Sequence, residues 1–83
     1  MAIVQTSIFL IMERFPAYKD TILRLLKDNE PFKIVSEDYR RCAQALKHWE
    51  QSKTREAPER VNEYKELLKN LEEEILGHLK RVN

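Results

Sequence analysis

One glycine, Gly77, serves all 83 residues, and three prolines and one cysteine complete the short list of structure-breaking or cross-linking residues. So little glycine excludes sheets joined by tight turns and Gly-rich loops that cradle phosphates. The lone Cys42 leaves no partner for an intramolecular disulfide and fits a reducing compartment. An excess of one charge is also missing. Fifteen basic and 14 acidic side chains give a net charge of +1, whereas nucleic-acid binders concentrate Lys and Arg. Long hydrophobic runs are absent as well. The opening MAIVQTSIFLIM is apolar but falls short of the roughly 20 residues that span a bilayer, and it lacks a basic start and a small-residue cleavage site. A cytoplasmic chain with no transmembrane segment is expected.

What is present points to helices. The chain is 42% hydrophobic and 35% charged, rich in Leu, Glu, Lys and Arg, which are good helix formers. Its length allows one small domain with a modest core. The expected fold class is all-α, with a short N-terminal helix followed by a long antiparallel helical hairpin of coiled-coil type. Proline is favoured in a helix's first turn, so Pro16 is read as opening a helix that runs to about Asp28. Asn29 then caps a second helix that enters through Glu30 and Pro31 and runs to about Ser52. Residues 53–57 form the loop, and Pro58 opens a third helix that continues through Gly77 nearly to the end.

Apolar spacing sets the hairpin. Phe32, Val35, Tyr39, Cys42, Leu46 and Trp49 are spaced 3-4-3-4-3, and Val61, Tyr64, Leu68, Leu71 and Ile75 are spaced 3-4-3-4. Both are seams of coiled-coil type, and a short loop makes the two helices fold back on each other. One alignment pairs Trp49 with Val61, Leu46 with Tyr64, Cys42 with Leu68, Tyr39 with Leu71 and Val35 with Ile75, and it brings Phe32 near His78 and Leu79.

Chemistry-bearing residues are scattered. His48, His78 and Cys42 stand apart, and Glu74 with His78 lacks the repeated Glu-x-x-His and further carboxylates of a di-iron bundle. Cys42 lies on the apolar seam, where burial favours an inert thiol over a nucleophile. The run Glu72-Glu73-Glu74 is read as a solvated face, and Tyr39, Tyr64 and Trp49 as core. No catalytic residue, cofactor or metal site is expected. Arg40, Arg41, Lys47, Lys53, Arg55 and Arg60 cluster around the loop and carry the alternative of a nucleic-acid-binding module. Glu50, Glu56 and Glu59 interrupt them, so nucleic acid is not the expected partner.

Phe15, Pro16, Tyr18, Lys19, Asp20, Ile22, Leu25 and Phe32 follow one another as Phe-Pro-x-Tyr-Lys-Asp, an Ile, a Leu-containing turn and a later Phe. This segment resembles the YdcH-like family of small bacterial helical proteins, whose role is largely uncharacterised. The resemblance covers about residues 12–80, and its specific part is 15–32. It implies the short helix and hairpin plan, and no activity. Where the family often carries His-Asn-x-Leu-Asp, this chain has Tyr39-Arg40-Arg41-Cys42-Ala43, and Glu66, Leu67 and Leu68 dilute the Lys-rich stretch of the third helix.

Met12 sits where YdcH-like chains usually begin, so residues 1–11 read as an apolar extension, or the product of an upstream start, ahead of a hairpin domain over 12–83. Val4, Ile8, Ile11 and Phe15 are spaced 4-3-4, as in a helix that continues to a bend at Pro16, while their β-branched content keeps a strand as the alternative. Leu67, Leu76, Leu79 and Val82 lie off the seam and need cover. The expectation is a non-enzymatic protein that acts through protein–protein contacts. Its partners would be an unidentified protein and itself, most simply as a homodimer with Val4, Ile8, Ile11, Leu76 and Leu79 at the interface.

Overall fold

The computed structural model describes residues 9–81, and among them every regular element is helical. A helix (α1) covers residues 9–14. A 3-10 turn at Pro16–Tyr18 leads into α2 (Lys19–Asp28), followed by α3 (Glu30–Glu50) and α4 (Ala57–Arg81).

Local chemistry explains each boundary. The residue before a proline is pushed out of the helical region. Phe15 accordingly sits at φ −129°, ψ 65°, after its N–H has closed the last turn of α1 on the Ile11 carbonyl at 2.8 Å. Pro16 therefore opens a tight turn, and the α-helix proper starts three residues later than expected. Asn29 is the only residue between α2 and α3 and serves both. Its N–H donates to the Leu25 carbonyl at 2.8 Å, and its side-chain oxygen accepts the Phe32 N–H at 2.9 Å. The end of α3 comes at Glu50, two residues short of the expected Ser52. In the loop that follows, the Ser52 hydroxyl accepts the Thr54 N–H at 3.2 Å. Pro58 occupies the second position of α4, after Ala57, which is buried beneath the loop. Gly77 lies inside α4, which continues through it as expected.

The core draws on all four helices. Ile11 comes from α1, Ile22 and Leu25 from α2, Phe32, Val35 and Tyr39 from α3, and Ile75 and Leu79 from α4. Phe15, Tyr18 and Leu26 pack at its margin. The start of α3 lies beside the end of α4, since the Phe32 and His78 rings meet edge to face at 5.7 Å between centroids. Further along, the Tyr39 hydroxyl donates to Glu72 at 2.8 Å, and the Cys42 thiol donates to the Tyr64 carbonyl at 3.5 Å.

Two placements differ from the sequence reading. Ile11 and Leu79, expected at an interface, are both 0% exposed inside the chain's own core. α1 packs against α3 and α4 and shares a core with Leu79, while Leu67, which the sequence also left uncovered, stays exposed. The helix also runs unbroken across residue 12, with Ile11 as much a part of the core as Ile22. Leu76 is half-buried, and the interface candidates Val4 and Ile8 lie outside the described residues, as does Val82.

Candidate functional site

Of the residues expected on the seam, Phe32, Val35, Tyr39, Cys42 and Ile75 are buried, while Leu46, Trp49, Val61, Tyr64, Leu68 and Leu71 are half-buried. Burial fades toward the loop because α1 and α2 cover only the opposite end. An open cavity of about 500 Å³ remains there, walled by Trp49, Ala57, Val61 and Lys65 among others. Trp49 is steadied by its neighbour His48, ring edge to ring face at 5.3 Å.

The most organised polar group joins three helices. Glu72 on α4 accepts the Tyr39 hydroxyl from α3 and, at 2.9 Å on the same oxygen, the Nε–H of Arg14 from α1. Burial raises the Glu72 pKa, but the hydrogen bonds from Arg14 and Tyr39, with the Arg14 charge, outweigh it and hold the carboxylate below its usual range. Burial, reinforced by the bond to Glu72 and its charge, pushes the Tyr39 phenol well above its ordinary value. The phenol therefore stays a donor and Glu72 an acceptor. The sequence reading gave Glu72 to a solvated face; the structure gives that role to Glu73 and Glu74, which are exposed, and half-buries Glu72. Part of this was discoverable. An alignment that sets Tyr39 against Leu71 places its hydroxyl next to Glu72, whereas no spacing pointed to Arg14.

The basic residues near the loop differ in how far they are already engaged. Arg40 is buried and bonded to Glu37, and its remaining fork donates to Gln44 at 3.0 Å. Arg41 lies 3.6 Å from Glu37, and Arg60 donates to Glu63 at 2.9 Å. Lys47, Lys53 and Arg55 are exposed. Cys42 is buried, and that burial raises its thiol pKa, which disfavours the thiolate needed for nucleophilic chemistry.

Among the described residues no three His, Cys, Asp or Glu side chains gather as metal ligands, and no helix is long and apolar enough to cross a membrane. No family model, curated protein or solved structure matches the chain. The geometry also presents apolar surface. Among the described residues, Phe9, Leu23, Ile34 and Leu67 are the large apolar side chains left exposed, and a groove of about 430 Å³ lies open between α3 and α4.

Proposed function

We propose that this is a non-enzymatic helical protein that acts through protein–protein contacts, including contacts with itself. The carrying observation is the open apolar groove between α3 and α4, with Ile34 and Leu67 exposed beside it. Apolar surface of this kind, rimmed by polar residues, is how interaction sites present themselves. The finer architecture belongs to the same reading. α3 and α4 form an antiparallel hairpin of coiled-coil type, supported by the Phe32–His78, Tyr39–Glu72 and Cys42–Tyr64 contacts. Kinship with the YdcH-like family is proposed from residues 15–32 and adds a plan rather than an activity. Light scattering on the full chain tests the association: a concentration-dependent rise above the 10.0 kDa of one chain is expected. A constant monomer mass up to millimolar protein would defeat it.

The alternative, a nucleic-acid-binding module, is left with Lys47, Lys53, Arg55 and the loosely held Arg41, because Arg40 and Arg60 already engage acidic or amide neighbours. Phosphate binding weakens steeply with salt. A mobility shift with mixed DNA and RNA that disappears at raised salt would favour this alternative.

A further inference from the structure

Along one flank of α3 stand Ile34, Asp38, Arg41 and Ala45, spaced 4-3-4. Ile34 is 57% exposed, Asp38 and Arg41 are exposed, and Ala45 is half-buried. The open groove between α3 and α4 runs beside them, with Ala45, Tyr64, Leu67 and Leu71 in its lining and Asp38 and Arg41 at its rim. Among the described residues none of α1 or α2 lines it, so their packing leaves this flank open.

The order of the quartet selects its occupant. Read along the helix it is apolar, acidic, basic, apolar. Turned about a two-fold axis between positions 39 and 40, it becomes apolar, basic, acidic, apolar. Ile34 then meets Ala45 and Asp38 meets Arg41, and each meeting occurs twice. We propose that a second copy of this chain occupies the groove, with α3 laid antiparallel on the partner's α3 and each Ile34 seated against the other copy's Ala45, Tyr64 and Leu67.

The fit has three physical sources. Ala45 is small and leaves a hole that a branched Ile can enter, and the 4-3-4 spacing keeps the contact on one helical stripe. The surface is self-complementary, as a two-fold contact requires. The two Asp–Arg pairs fix register and orientation more than they add affinity. Arg41 can reach across, since its side chain is 70% exposed and its present pairing with Glu37 is loose at 3.6 Å. At 1.5 Å per residue the stripe is only about 17 Å long, which makes the dimer concentration-dependent. This inference rests on the proposed self-association and adds the surface and the register to it.

Sedimentation of the full chain from micromolar to millimolar concentration tests both, with helicity and melting followed in parallel. The wild type should dimerise, and Ile34→Glu should raise the dissociation constant about tenfold or more. Asp38→Arg and Arg41→Asp should each weaken the dimer by setting like charges face to face, and the double variant should recover it. All three positions are exposed, so the folded monomer should melt as the wild type does. A wild type that stays monomeric throughout overturns self-association and this surface together. A dimer indifferent to every variant overturns the surface and leaves self-association standing. Single variants that weaken the dimer with no recovery in the double overturn the two-fold register.

Discussion

The two ends of the α3–α4 pair carry the same apolar spacing and differ in what the spacing achieves. Where α3 begins and α4 ends, two further helices cover the pair, and Phe32 and Ile75 are sealed from solvent. Toward the loop, Leu46, Trp49, Val61 and Tyr64 continue the same apolar spacing and remain half-buried. Apolar spacing tells which residues share one face of a helix. The number of layers around them decides how much water they lose. Since hydrophobic stabilisation follows the apolar area removed from water, the covered end should hold most of the stability.

Truncation at the two ends should sharpen this contrast most. Phe32→Ala empties a fully buried site in the shared core and should cost about 3–5 kcal/mol, enough to threaten a domain of this size. Val61→Ala, at the uncovered end, should cost about 1 kcal/mol or less, since its site is already wet. Chemical denaturation of both variants reads the difference, and equal losses would break the comparison.

The next effect concerns the polar bridge at the covered end. Tyr39→Phe removes a hydrogen bond to a carboxylate and should cost about 1–2 kcal/mol. Glu72 titrates below its ordinary range in the folded chain, so its contribution is present above the unfolded carboxylate pKa of about 4.3 and is lost as pH falls through the lower folded value. Thermal melts between neutral and acid pH should therefore show a loss of stability that Glu72→Gln flattens. An unchanged acid profile in that variant would remove Glu72 from the account. Arg14 is exposed, so its share of the bridge should shrink as salt is added.

Two smaller changes should stabilise. Ser36 is 1% exposed, and its hydroxyl has no hydrogen-bond partner among the described residues. An orphaned buried hydroxyl costs stability, so Ser36→Ala should gain about 1 kcal/mol; a loss would reveal a partner for it. A Cβ at Gly77 would meet only the Arg81 guanidinium, at an ordinary 3.7 Å. Gly77→Ala should therefore gain somewhat less than the ~1 kcal/mol helix-propensity difference, seen as a modest rise in melting temperature.

The all-helical class, the Asn29 cap and the continuous helix through Gly77 were legible because each depends on neighbours in sequence. The docking of α1 was not. Spacing shows that Ile11 is apolar on a helical stripe, but whether that stripe meets this chain or another depends on the turn at Phe15–Pro16. Arg14 was hidden for a related reason, since an exposed arginine acquires a role only when a bend brings it to a distant carboxylate. Arg40 misled in the opposite direction. In the sequence it is one more positive charge near the loop, while in the fold Glu37 and Gln44 occupy it.

The bridge between Arg14 and Glu72 also bears on the order of folding. Adjacent helices α2 and α3 meet through one residue, and α3 and α4 through a short loop, so the contacts nearest those turns close short stretches of chain and the more distant ones can follow turn by turn. The Arg14–Glu72 contact must instead close a loop spanning most of the protein, and the entropy of closure rises with loop length. Contacts between distant positions slow the search for the native state. The attachment of α1 is thus expected to form last and open first, so its amide protons should exchange with solvent ahead of those in the middle of α3.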